Sequence, residues 1–290
     1  MALPSIIIII MFNYVPLYGV TIAFKDYNFT KGILGSQWVG FNNFKFLIAS
    51  RTLMTRLLRN TIGYWLLFKV TGLTCELVLA FALDECRKKY FVKVSHTIMI
   101  APTFISFVAV TFIVSAFLDD TNGLVNHFLQ ARDMHTIRWY SSPSKWPWIL
   151  LFVNLWKGTG YGCIMYLASL AGLDSEMLEA AEIDGATGFQ KITRIKLPAL
   201  LPMICILQIM SLGSILSSNT GLFYQVTKNI GVLYPTTQTI DSYVLNSMLG
   251  GSQDWGVTGA VSLFQSTVGT FIVIITNLIV RRWESDYALF

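Results

Sequence analysis

Charge is what this chain has least of. Asp, Glu, Lys and Arg make up 13% of the 290 residues, whereas 54% are hydrophobic. Soluble domains carry roughly 25% charged residues, so the composition fits lipid rather than water as the surrounding solvent. Lys and Arg outnumber Asp and Glu by 21 to 16, yet they are dispersed among apolar stretches. No basic stripe forms, which argues against a nucleic-acid surface. Cysteine is sparse too: Cys75, Cys86, Cys163 and Cys205 stand far apart, without a C-x-x-C pair and without His96, His127 or His135 at ligand spacing. A disulfide framework and a zinc site are therefore not expected, and no metal is assigned. A Gly-Lys dipeptide is missing altogether, and with it the P-loop that cradles nucleotide phosphates. The apolar stretches hold no cluster of catalytic side chains and no filter sequence of the kind that lines a channel. The chain reads as a non-catalytic membrane protein.

What is present is a recurring apolar span. About 20 mostly apolar residues are needed to cross a hydrocarbon layer of ~30 Å as a helix. That ruler predicts six spans, over 3–24, 60–83, 97–118, 147–171, 198–220 and 256–280, in one membrane domain covering 1–290. Residues 3–24 lack a basic leader and a small-residue cleavage site, so they read as a first span rather than a secretion signal. The leader before it is very short, and a cytoplasmic tail is expected to precede it. Arg87, Lys88, Lys89, Lys93, Lys191, Arg194, Lys196, Arg281 and Arg282 fall on one face, which the positive-inside rule makes cytoplasmic. Residues 42–59 are too charged to span and predict an amphipathic helix at the outer interface. Trp139, Tyr140, Trp146 and Trp148 are expected to anchor at headgroup level.

Between the fourth and fifth spans lies a polar island, 174–197. Asp174 and Ser175 can cap a helix that carries Glu176 and Glu179 in its first turns, favourable against the helix dipole. Gly185 interrupts it. A second short helix with Phe189, Ile192 and Ile195 follows, and Pro198 suits the first turn of the next span. The small Ala180 and Ala181 allow a partner to approach closely, and Glu179, Glu182 and Asp184 can pair with basic groups on it. The element is shaped for docking.

Glu179-Ala180-Ala181, Asp184-Gly185-Ala186, Leu197-Pro198 and Leu201-Pro202 resemble the EAA loop of binding-protein-dependent ABC importer permeases of the sugar type. Val39-Gly40-Phe41-Asn42-Asn43-Phe44, Arg59-Asn60-Thr61 and Tyr166-Leu167-Ala168-Ser169-Leu170 extend the likeness over nearly the whole chain. The opening Phe12-Asn13-Tyr14-Val15-Pro16-Leu17-Tyr18-Gly19 is similar to a subgroup serving complex oligosaccharides, alginate importers among them. The resemblance implies an all-α type I permease fold in a bacterial inner membrane. It also implies a second permease subunit, either a different chain or a second copy, and two ATPase subunits that hold ATP and Mg. A periplasmic or extracellular solute-binding protein completes the set. In that family the loop is a coupling helix seated on the ATPase, which assigns coupling to Glu179, Ala180, Ala181, Glu182, Asp184, Gly185, Ala186, Leu197 and Pro198.

The solute path is less legible. Lys69 and Glu76 lie two turns apart on one face of the second span, and Lys157 lies inside the fourth. Charges within a span are costly and face a cavity or another helix. Asn154, Tyr161 and Tyr166 share the fourth span with Lys157, and aromatic faces with amides suit sugar rings while a lysine attracts uronate carboxylates. The alternative is a helix-contact stripe. Ser217, Ser218 and Asn219 occupy a region that lines the solute site in the sugar-permease family. A channel or a non-transporting scaffold would account for the spans but leave the EAA loop unexplained.

Overall fold

The structure is a computed structural model that describes residues 3–45, 50–86, 88–250, 254–284 and 288–289. It is helical, apart from a two-residue hairpin in which Lys25–Asp26 pairs antiparallel with Gln37–Trp38. Helix α1 (Leu3–Ile9) continues through a π-turn and a 3-10 stretch to Phe24. There follow α2 (Arg51–Asp84), α3 (Lys89–Ile100), α4 (Phe107–Leu118), α5 (Leu124–Gln130), α6 (Trp146–Leu170), α7 (Ser175–Ile183), α8 (Gly188–Lys191), α9 (Leu197–Leu212), α10 (Ile240–Leu249) and α11 (Trp255–Trp283).

Four described stretches are long and apolar enough to cross a bilayer: Ile6–Phe24, Arg51–Asp84, Gly188–Leu212 and Trp255–Trp283. A fifth arises if the bent pair Lys89–Phe104 and Phe107–Leu118 counts as one. The six expected spans thus differ from the structure in three places. The third, 97–118, breaks with a bend of 101°. Pro102 opens a 3-10 turn there, and Ser106 caps α4 by accepting a hydrogen bond from the Ala109 amide. The fourth, α6, is a 25-residue helix, but Asn154, Lys157 and three glycines dilute its apolar character. The fifth ends at Leu212 rather than 220, where Gly213 and the polar run from Ser217 to Asn219 turn the chain away.

The interfacial helix expected over 42–59 is also replaced. Gly40–Phe44 is a 3-10 turn, residues 46–49 lie outside the described residues, and from Arg51 onward the chain is already in α2. No proline interrupts Arg51–Asp84, so the helix runs unbroken for 34 residues. At 1.5 Å per residue that is about 51 Å, enough to cross the hydrocarbon and project beyond it.

The most extensive helix contact is α2 on α6. Gly162 permits it, since a methyl group there would sit 2.2 Å from the Glu76 carboxyl carbon; Gly160 on the same helix admits α3, where a methyl group would sit 1.9 Å from the Met99 carbonyl oxygen. One core gathers Tyr64, Val110, Trp146, Leu150, Leu222 and Phe223; a second, near the α7 end, gathers Ala80, Leu83, Cys163, Tyr166, Leu170 and Leu200. Two of the expected headgroup anchors belong to the first core. Trp146 is fully buried, its ring 5.0 Å from that of Tyr140, and its indole N–H donates to the Trp139 carbonyl. The 3-10 turns before α6 fold these rings inward, and Trp148 alone of the four is strongly exposed.

Candidate functional site

The polar island folds into a helix, an elbow and a helix. The Asp174 carboxylate accepts the Glu176 amide 2.9 Å away and starts α7. At the other end Gly185 takes φ +80°, the Gly185 amide bonds to the Glu182 carbonyl and the Ala186 amide reaches back to the Ala181 carbonyl. That pair of bonds is the Schellman ending, and it needs a residue that enters the left-handed region at no steric cost. Thr187 and Gln190 then form a reciprocal capping box for α8. The second short helix, expected to stop before Pro198, instead joins the next span. A π-turn over Ile192–Lys196 links α8 to α9, with the Leu197 amide bonded to the Ile192 carbonyl. Proline lacks an N–H and its ring crowds the carbonyl four residues earlier; the wider turn makes room for Pro198 within a continuous helix.

Within this loop, Glu179 and Ala180 are exposed and Ala181 is half-buried. Glu182 is bound inside it, its carboxylate 2.5 Å from the Lys191 ammonium, so it braces α7 on α8. Asp184 and Gly185 are exposed at the elbow. Leu197 packs against the second core. Ile183 and Phe189 project with 87% and 75% of their surface exposed, the most exposed apolar side chains of the protrusion. Single exposed apolar residues are ordinary, but here two flank the elbow.

A cavity of about 240 Å³ opens between α2, α6 and the segment after α9, and it gathers six of the sequence-predicted path residues: Lys69, Glu76, Asn154, Ser217, Ser218 and Asn219. Three others lie outside its lining. Tyr161 is largely exposed and Tyr166 is buried in the second core. Lys157 turns its ammonium onto the carbonyls of Pro102, Thr103 and Ile105, at 2.9, 3.3 and 2.5 Å. It closes the broken end of α3, a position that donors fill at helix C-termini, and its ring contact is Phe107.

Sequence reading missed the aromatic wall of the cavity. Tyr64, Trp65 and Phe68 from α2 and Phe223 from the segment after α9 line it, with the Tyr64 and Phe223 rings 4.7 Å apart. The stripe Tyr64-Trp65-Phe68 next to Lys69 was a signal at helical spacing; Phe223 gave none. Gln208, the one polar side chain mid-way along α9, also reaches the cavity.

Asp241 holds the wall in place. Its Oδ2 accepts the Ser218 amide at 2.5 Å and the Ser218 hydroxyl at 3.1 Å, while Gln265 approaches Oδ1 at 3.4 Å. Burial raises the carboxyl's pKa, and the bonds from Ser218 and Gln265 offset part of that rise. Asp241, in the first turn of α10, faces inward onto the segment after α9. A row of contacts from α2 fixes the neighbouring segment: the Asn60 amide donates to the Gln238 carbonyl, Tyr64 to the Thr236 carbonyl, and the Ile240 amide to Thr61.

A helical membrane protein with a protruding helix–elbow–helix loop and a polar, aromatic-walled cavity between its spans has the architecture of a transport permease. Residues 77–285 match the family of binding-protein-dependent transport system inner membrane components, and the chain belongs to that family. It is 32% identical to Protein LplB of Bacillus subtilis over 98% of this chain and 88% of that protein. It is 29% identical to the polygalacturonan/rhamnogalacturonan transport system permease protein YteP of the same species, over 99% and 88%. Among solved structures it is similar to a bacterial ABC transporter involved in the import of the acidic polysaccharide alginate, with TM-score 0.86 and 31% identity over 97% of this chain and 94% of the other. The chain is thus a non-catalytic, multi-pass inner-membrane permease of a bacterial ABC importer for carbohydrates.

Proposed function

We propose that the chain, as one permease domain over 1–290, carries an acidic oligosaccharide, of alginate or another uronate polymer, from a solute-binding protein into the cytoplasm by alternating access. The observation that carries this reading is the cavity's make-up. Tyr64, Trp65, Phe68 and Phe223 offer faces for sugar rings, Asn154, Gln208 and Asn219 offer amides for hydroxyls, and Lys69 offers a cation for a carboxylate. Two similar proteins handle polyuronates by name, one in alginate import and one in polygalacturonan/rhamnogalacturonan transport. A second permease subunit, a different chain as is usual in the family, supplies the other half of the path.

Energy enters through α7. Glu179 pairs with a basic residue of a separate ATPase subunit that binds ATP and Mg, Ala180 and Ala181 give close fit, and Gly185 sets the elbow. Closing of two ATPase subunits on ATP then switches the permease pair between two packed arrangements.

The test is ATP hydrolysis by the reconstituted complex, titrated with binding protein loaded with alginate oligosaccharides, oligogalacturonates or neutral maltooligosaccharides. Stimulation by the uronates and not by the neutral sugars is expected. Stimulation by the neutral sugars alone would overturn the acidic-solute reading. A chain that purifies without an ATPase would return a channel or a scaffold to the front.

A further inference from the structure

Lys196 is a charged residue only 5% exposed, at the last position of the π-turn between the docking loop and α9. Its ammonium donates to Asp84 Oδ2 at 2.6 Å and also to the Glu85 carboxylate. Asp84 is the final residue of α2 and Glu85 its C-cap. Two carboxylates at the negative end of a helix dipole are unfavourable unless a cation meets them, and Lys196 meets both. Glu85 also lies against the start of α8, where a methyl group at Gly188 would touch its carboxylate at 3.9 Å.

The π-turn decides this placement. It inserts one residue's worth of extra backbone just before Pro198, so Lys196 points at α2 instead of following the regular helical register. On the loop side, the Glu182–Lys191 ion pair braces α7 on α8. Two ion pairs thus stand in series from the exposed coupling helix to the inner end of α2. Beyond that joint α2 is a single rod without proline: it lines the cavity through Lys69 and Glu76 and grips the outer segment at Gln238.

We propose that Lys196 is a positioning residue for coupling, the joint through which displacement of α7 drives α2 and so reshapes the solute cavity. This rests on the reading of α7 as the ATPase-docking helix. Buried charge pairs add little net stability compared with apolar packing, but breaking one leaves the partner's charge uncompensated. The pair therefore fits a role in register and transmission better than one in holding the fold together.

The experiment uses the full complex with its ATPase and permease partners in lipid. Nitroxide labels at the exposed positions Val70 on α2 and Ile274 on α11 report the distance between these helices with and without ATP and vanadate. The unsubstituted permease is expected to show a shift that Lys196→Met abolishes, while the ATPase still copurifies and solute moved per ATP falls about tenfold, within the usual range of coupling between sites. The triple change Lys196→Met, Asp84→Ala, Glu85→Ala removes every uncompensated charge, so it folds even if the single variant does not, and it too is expected to lose the shift. A shift that persists in either variant overturns the joint while leaving α7 docking intact. No ATPase bound and no shift in the unsubstituted complex overturns both.

Discussion

The Lys157 ammonium lies 2.9 Å from the carbonyl oxygen of Pro102, two helices away in sequence and at the break that ends α3. A charge placed by sequence in the solute path is instead a cap for backbone carbonyls. Replacing Lys157 with Met takes the ammonium donor from the Thr103 and Ile105 carbonyls, while the Pro102 carbonyl keeps the Ile105 amide, a loss of about 1–3 kcal/mol. A lower melting temperature in detergent is expected, with an unchanged solute concentration for half-maximal ATPase stimulation. A changed solute dependence at unchanged melting temperature would put Lys157 back in the path.

Glu179 is exposed on α7, where a charge reversal breaks no ion pair among the described residues. Glu179→Lys is expected to leave folding and membrane insertion intact while ATP turnover and uptake become uncoupled. Normal uptake in that variant removes the docking assignment.

Gly185 has φ +80° with open space where a side chain would sit. A substitution there costs backbone strain alone, about 1 kcal/mol for alanine. Since that amount corresponds to about fivefold in an equilibrium, Gly185→Ala is expected to weaken ATPase binding by a similar factor and Gly185→Asn by less, as titration of the ATPase subunit onto permease in nanodiscs would show.

Gly160 and Gly162 separate packing from function. An alanine at Gly160 meets the Met99 backbone at 1.9 Å, which cannot move aside, whereas one at Gly162 meets the movable Glu76 side chain. Gly160→Ala is expected to lose about 1–3 kcal/mol, the usual range for overpacking, and to lower the melting temperature. Gly162→Ala is expected to keep its melting temperature and change the solute dependence of ATPase stimulation, because Glu76 lines the cavity.

Asp241 makes a pH test. Burial raises its carboxyl above the ordinary value of 3.8. A carboxyl whose pKa is higher in the folded than in the unfolded state contributes stability that is full below the unfolded value and lost as pH rises through the folded value. The melting temperature of the unsubstituted protein is therefore expected to fall, relative to that of Asp241→Asn, as pH increases upward from about 4, the range in which a free Asp ionises. Parallel pH profiles for the two proteins would show that Asp241 does not titrate in this way.

The sequence by itself determined the membrane class, the family and the helix–elbow–helix form of the polar island. Apolar length, the Asp174 cap, the Gly185 elbow and the small Ala180-Ala181 pair are local features, and each acts through a few neighbouring residues whose chemistry is visible in order along the chain. It also named six of the cavity residues: Lys69, Glu76 and Asn154 because a costly charge or amide within a span must face something polar, and Ser217, Ser218 and Asn219 through the family resemblance. Tertiary structure alone decided the rest. Whether Lys157 turned to a solute or to a broken helix depended on α3 ending beside it, 55 residues away in sequence. That Asp241 meets Ser218 depended on α10 arriving beside the segment after α9, 23 residues earlier in sequence. Lys196 read as one more positive charge on the inner face until the π-turn aimed it at Asp84, 112 residues earlier. Periodicity reports which face of a helix is apolar, but it carries no information about which distant backbone or carboxylate will arrive on the other side.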